Sequence, residues 1–337
     1  MLTNVETLLK KLILTPSLSG DEAAIGNYIS DLLVKHGFEV DKQSLALRAK
    51  NPVAEGRFNV VAKLGEPKVY LAAHMDTVSP LLGYKETKSY IYGRGACDTK
   101  ASVACMITAA IAAKNEDCNN FGLIFTVGEE VDFAGAKTLM KSKLRIPFVV
   151  VGEPTSGAIV NGHFGILIIK VIAKGKAAHS SRPELGINAV DLLLELIGKV
   201  KKMPIKSGTL MSLVQINGGL ADNIIPDTAS AVFSIRISPD DQTDYTKNIE
   251  LLSSENIDVE IVQQVGAVFS QVPPQLAFIK EVKTVKYMTE LSFYKKGIVL
   301  GPGDIQYAHG AEEKIAKSEL PEAVEIYKRI LKNFTLD

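Results

Sequence analysis

Apolar residues recur at helical spacing over 3–14 and 20–36, which predicts two amphipathic helices at the start of the chain. The SGDE stretch offers Ser19 or Asp21 as a cap for the second helix, and Gly37 supplies its stop. The pattern then changes to short apolar runs closed by turn residues: NVVAKL, VYLAAHMD, FGLIFTVGEE and FVVVGEP. VYLAA and LIFTV are almost unbroken, as expected of strands covered by helices on both faces. Between two of these runs, the Ala-rich stretch over 99–114 suits a helix. Residues 1–160 therefore read as α/β layers around a mostly parallel sheet.

Beyond about residue 162 the rhythm differs. ILIIKVIAKG reads as a strand, INAVDLLLELIGKVKK as a helix, and TLMSLVQING and ASAVFSIRIS as two strands. TDYTKNIELLSSE reads as a second helix and DVEIVQQVG as a last strand. That order, β-α-β-β-α-β, is the ferredoxin-like arrangement. A helix over 273–285, a strand over 297–303 and a helix over 320–334 follow. The simplest organisation is a larger domain, 1–162 and 273–337, with a small domain, 163–272, inserted in it. A chain of 337 residues suits two domains better than one core.

Composition narrows the function classes. Lysine plus arginine and aspartate plus glutamate each number 38, so no overall field attracts nucleic acid or an anionic membrane. Cys97, Cys105 and Cys118 form no CxxC pair, which points away from a disulfide framework and towards a reducing compartment. The first residues mix apolar and charged positions, unlike a signal peptide. No apolar run approaches the ~20 residues of a membrane span. The expectation is a cytoplasmic protein.

Candidate chemistry gathers at strand ends. His74 and Asp76 close VYLAA, and a metal-bound imidazole usually gives its other N–H to a carboxylate. Alone, a histidine after a strand is more often a satisfied polar residue than a ligand. Asp98 ends GRGACD, which lacks the sixth-position glycine of a dinucleotide loop. By itself it reads equally as a helix cap. Glu129 and Glu130 follow another apolar run, where they need either solvent or a cation. Glu153 follows FVVV, and His309 follows GIVLGPG. Each residue has an ordinary explanation, but together they suggest one convergent site in an open α/β sheet. Nitrogen and carboxylate donors without thiolate suit a hydrolytic zinc, cobalt or manganese centre.

HMDTV, GRGACDTK, TVGEE, VVGEPT, GKAAHSSRPELGINAV, ADNIIPDTASAVFSIR and VLGPGDIQYAH together resemble the M20 peptidase family. The likeness is to its acetylornithine deacetylase and succinyl-diaminopimelate desuccinylase branch. It implies that His74 and Glu153 hold one divalent ion, Glu130 and His309 a second, and that Asp98 bridges them. Zinc is the first expectation, with cobalt or manganese as alternatives. It further implies that Asp76 orients His74 and that Glu129 is the general base. The inserted domain becomes a lid and the surface of a homodimer, whose His179 stabilises the oxyanion. Arg236 would grip a substrate carboxylate, with Asn223 and Gly301 as further substrate contacts. The expected substrate is an N-acyl amino acid, the alternative a peptide cleaved by a dipeptidase or carboxypeptidase. A silent binding homologue is a third reading, although no ligand or base is missing. A serine hydrolase is disfavoured because GxSxG does not occur. Two departures, Ala101-Ser102 after the DxK motif and the loosely matching turn at Met288-Thr289-Glu290-Leu291, bear on the substrate more than on the chemistry.

Overall fold

The computed structural model describes residues 4–45 and 56–335. Residue 3, the expected start of the first helix, lies outside them. In chain order the main elements begin with α1 (Val5–Ile13), α2 (Ala23–Lys35), β1 (Glu39–Ser44), β2 (Phe58–Leu64) and β3 (Val69–His74). Next come α3 (Lys100–Asn115), β4 (Phe121–Thr126), α4 (Ala134–Met140), β5 (Val149–Val151) and β6 (Ile159–His163). They continue with β7 (Gly165–Lys174), α5 (Ala189–Lys201), β8 (Leu210–Gly218), β9 (Thr228–Ile237), α6 (Tyr245–Glu250) and β10 (Ile257–Val265). The last are β11 (Gly297–Val299) and α7 (Glu319–Thr335). The chain separates into two compact units: 1–161, 270–284 and 289–337 form one, and 162–269 with 285–288 the other.

In the larger unit the strand order is β1-β2-β4-β3-β5-β11-β6. β4, β3, β5 and β11 are parallel neighbours, while β1, β2 and β6 pair antiparallel at the flanks. β3 and β4 are buried at every residue, which explains their unbroken apolar character. α3 lies against β3 and also against α1 and α7, so it is covered nearly all round. Its small alanines permit that close packing, and a helix apolar on every face has no stable place at a surface. The four parallel strands end side by side at Thr126, His74, Val151 and Val299. The turns that follow them carry most of the candidate residues.

The smaller unit has the chain order β7-α5-β8-β9-α6-β10 and the antiparallel sheet order β8-β9-β7-β10. Alternate residues Leu167, Ile169 and Val171 of β7 and Ala231, Phe233 and Ile235 of β9 meet Leu193, Leu196 and Ile197 of α5. That alternation is why the ferredoxin-like order was visible in the sequence.

Several expectations change. The helix over 273–285 does not form. Pro274–Leu276 makes one 3-10 turn, and Val282–Val285 is a strand paired with β6. Two prolines at its start and valines at its end outweigh the apolar spacing between them. The unit boundaries also differ from the expected 163–272: residues 270–272 belong to the larger unit and 285–288 to the smaller. Neither Ser19 nor Asp21 caps α2, which starts after Glu22 with no side-chain cap. Gly37, at φ +78°, does end it. Among the described residues no helix is long and apolar enough to cross a membrane.

Candidate metal centre

β3 delivers His74 at its last position, almost completely buried. Its Nδ1 lies 2.9 Å from the backbone oxygen of Asp76. Donation there leaves Nε2 as the free nitrogen. Nε2 stands 3.1 Å from Asp98 Oδ1 and 4.0 Å from Glu153 Oε1. Asp98 does not cap α3; the cap position is Thr99, which makes no side-chain cap bond and instead donates its hydroxyl to the His74 oxygen at 2.9 Å. The second oxygen of Asp98, Oδ2, lies 3.2 Å from Nε2 of His309. The same His309 nitrogen is 2.9 Å from Glu130 Oε2. Asp98 therefore presents one oxygen to each histidine.

Donor atoms of His74, Asp98 and Glu130 all lie within 4.8 Å of one another, a group able to hold a metal. Glu153 Oε1 is buried with no hydrogen-bond partner among the described residues. Such an atom is costly unless a cation answers it. Asp98, Glu129, Glu130 and Glu153 crowd together, and among the described residues His74 and His309 are the cations in contact with them. Burial and neighbouring carboxylates push the Glu129 and Glu153 carboxyls well above the usual range, and burial raises Glu130. Burial works against a charged His74, yet Asp98, Glu153 and Glu129 hold its proton affinity well above normal. Hydrogen bonds to Asp98 and Glu130 push His309 up to about 10. Despite burial, the two histidines hold Asp98 below the ordinary carboxylate range. The donor chemistry, the orphaned oxygen and the surplus of buried negative charge all fit divalent cations.

Asp76 makes more contacts than the one expected of it. Its carboxylate Oδ1 faces His74 Nδ1 at 3.7 Å, an ion-pair distance, while its backbone oxygen makes the 2.9 Å hydrogen bond to that nitrogen. The carboxylate also accepts the backbone N–H of Glu129 at 3.0 Å, that of Glu130 at 3.2 Å, and the Ser19 hydroxyl at 2.7 Å. It thus shapes the turn that aims both glutamates. The Glu129 side chain itself makes no hydrogen bond among the described residues. Gly301 packs so closely on Glu153 that an added Cβ would fall 2.5 Å from the Glu153 backbone oxygen.

His179, Asn223 and Arg236 lie in the smaller unit. His179 is exposed, with Nδ1 2.8 Å from Ser181 Oγ, and sits opposite Ile224 on a two-residue ribbon. Ser180 donates its N–H to the Asn223 oxygen at 2.9 Å, so His179 and Asn223 are neighbours. Arg236, half-buried on β9, has no carboxylate partner among the described residues.

Three further residues stand around the centre, of which only Glu290 was named from the sequence, as part of a turn bearing on the substrate. Glu313 accepts the N–H groups of Cys97 and Asp98, each at 2.9 Å, and pairs with Arg94 at 2.8 Å. Glu290 accepts the Thr126 hydroxyl at 2.8 Å beneath the end of β4. Arg57 grips Glu22 through two bonds of 2.6 and 2.7 Å. Glu313 carried one signal, its closeness in sequence to His309, and Arg57 carried none.

The model of peptidase family M20/M25/M40 matches residues 70–333. The chain belongs to this family. As an M20 member it is a metal-binding hydrolase. A probable carboxypeptidase of Aspergillus flavus is 32% identical over 96% of this chain and 88% of its own length. A peptidase M20 domain-containing protein of Schizosaccharomyces pombe is 34% identical over 97% of this chain and 84% of its own. The crystal structure of a tripeptidase from Staphylococcus aureus shares the fold, with a TM-score of 0.83 at 22% identity over 99% of this chain and 98% of that one. The α/β fold with its large, mostly parallel sheet is thus that of M20 peptidases.

Proposed function

We propose that this M20 hydrolase cleaves the amide bond beside a free α-carboxylate in short peptides, as a two-metal carboxypeptidase or dipeptidase. The observation that carries the two-metal reading is Asp98, whose oxygens lie 3.1 Å from His74 and 3.2 Å from His309. His74, Asp98 and Glu153 would hold one ion, and Asp98, Glu130 and His309 the other. A bound pair of divalent ions supplies a Lewis acid for the scissile carbonyl and a more acidic attacking water. Zinc suits the donor set first, then cobalt or manganese.

Glu129 is the base in this reading. It takes the proton of the attacking water and passes it to the leaving amine. Its raised proton affinity, from burial and then from Glu130 and Glu290, moves a carboxylate towards neutral-pH duty. The Asp76 carboxylate fixes the Glu129 backbone, so the base is aimed by its turn while its side chain stays free. Gly301 stays assigned to substrate, and its close approach to Glu153 keeps it beside the same machinery.

The name of the Aspergillus flavus relative, probable carboxypeptidase, supports a peptide substrate. The motif likeness to acetylornithine deacetylase and succinyl-diaminopimelate desuccinylase supports a second reading, an N-acyl amino acid. Both substrates carry an α-carboxylate, and Arg236, without a carboxylate partner among the described residues, is a cation suited to it. His179 and Asn223 are assigned to the substrate carbonyl. Exposed Val214 and Ile216 on edge strand β8 support a homodimer through the smaller unit. Three free cysteines support a cytoplasmic site of action. A panel of dipeptides and tripeptides against acetylornithine, acetylcitrulline, acetyl-lysine and succinyl-diaminopimelate tests the assignment. Turnover of a peptide is expected. Turnover of the N-acyl compounds alone would move the protein to the deacylases.

A further inference from the structure

We propose that Glu313 is a positioning residue that sets Asp98 against His309 and thereby controls the affinity of the outer of the two metal positions. This inference rests on the two-metal reading. Glu313 is 1% exposed, and each of its oxygens is committed. Oε1 accepts two successive backbone N–H groups, those of Cys97 and Asp98. Oε2 pairs with the Arg94 guanidinium at 2.8 Å. Arg94 in turn donates to the oxygens of Pro80 at 3.0 Å and Gly310 at 3.4 Å, and Gly93 donates its N–H to the Glu313 backbone oxygen at 3.1 Å. Segment 93–98, which carries Asp98, is thus joined to segment 309–313, which carries His309, by side chain and main chain together.

The two metal positions differ in what anchors them. His74 is the last residue of β3 and Glu153 comes two residues after β5, a direct neighbour of β3, so the sheet fixes their separation. His309 belongs to no helix or strand, has φ +60°, and has a side chain 53% exposed. Nothing regular sets its distance to Asp98. The Glu313 clamp joins the two segments, beside one weaker bond from the Cys97 thiol to the Asp304 backbone oxygen at 3.3 Å. Asp98 keeps a second tie to the inner position through the Thr99 hydroxyl on the His74 oxygen. Loss of the clamp should therefore loosen the outer position and spare the inner one.

Chelator-competed metal titration of the metal-free protein separates the two affinities. The wild type should take two equivalents of zinc. Glu313→Ala should bind the first within about threefold of wild type and the second about 10–100-fold more weakly, the usual cost of losing a partner behind a ligand. Glu313→Gln keeps an acceptor for the two N–H groups and loses the ion pair, so it should fall between. Cobalt absorption should show the same order, with the second spectral step displaced. Asp241→Asn serves as the control. It removes a buried carboxylate bonded to Thr209 and Tyr245 in the smaller unit and should lower Tm with both affinities intact. The inference is overturned if Glu313→Ala and Glu313→Gln keep both affinities, weaken both alike, or remain unfolded with metal present. A wild type that takes fewer than two equivalents overturns the two-metal reading itself.

Discussion

His309 Nε2 lies 3.2 Å from Asp98 Oδ2, although His309 sits on an exposed left-handed turn and Asp98 at the buried start of α3. The contact ties the C-terminal part of the chain to the end of β3, because the other Asp98 oxygen is 3.1 Å from His74. His309→Ala should leave the inner position and lose one equivalent of metal. Activity should fall by at least ~100-fold if both ions are required. Metal analysis beside kinetics checks this, and two retained equivalents would remove His309 from the ligands.

Glu129→Gln separates base from ligand. The side chain has no hydrogen bond among the described residues, so the change breaks no contact. Metal content and Tm should match wild type, while kcat drops by about 10^2–10^4, the range general-base removal costs. Residual activity near wild type would place the proton transfer elsewhere.

Asp76 acts through the turn it supports. Asp76→Ala leaves the N–H groups of Glu129 and Glu130 without their acceptor, and such loss costs ~1–3 kcal/mol at a buried site. Because base and ligand both ride on that turn, kcat should fall at least tenfold together with the Glu130 metal. Ser19→Ala removes one neutral donor and should cost no more than ~1 kcal/mol in stability. Kinetics and thermal melts of the two variants side by side test the ranking. Equal effects would mean the carboxylate serves packing alone.

Glu290 predicts a pH dependence of stability. Burial pushes its carboxyl up to about 7 from an ordinary 4.5. Between those values the unfolded chain has lost the proton that the folded chain still holds, so stability declines as pH rises through that window. At pH 8 the folded state would be destabilised by ~3 kcal/mol, at ~1.4 kcal/mol for each tenfold change in proton affinity. Glu290→Gln mimics the protonated form. In metal-free protein it should raise Tm at pH 8 and change it little at pH 4.5. An equal shift at both values would contradict a buried, proton-holding carboxyl.

Much of the centre was legible because a parallel sheet writes its site at the ends of its apolar runs. His74, Glu129, Glu130 and Glu153 each follow a short buried strand within a few residues. His309 follows its apolar run, Gly297–Val299, at a greater distance than the others, so the motif likeness strengthened its placement. Asp76 was legible as a neighbour of His74, and its carboxylate lies 3.7 Å from that ring, but its bonds to the Glu129 and Glu130 N–H groups left no local signal because those partners are more than fifty residues away. The roles of Glu313, Glu290 and the Arg57–Glu22 pair stayed hidden because their partners are distant in sequence. A buried carboxylate must find a partner, but local pattern does not say where. The helix expected over 273–285 failed because apolar spacing alone cannot separate a short helix from a turn followed by an edge strand.

Anomalous diffraction from zinc-loaded crystals bears most directly on the two-metal centre. Two peaks are predicted, one among His74, Asp98 and Glu153 and one among Asp98, Glu130 and His309. A single peak away from Asp98, or none at these residues, would contradict it.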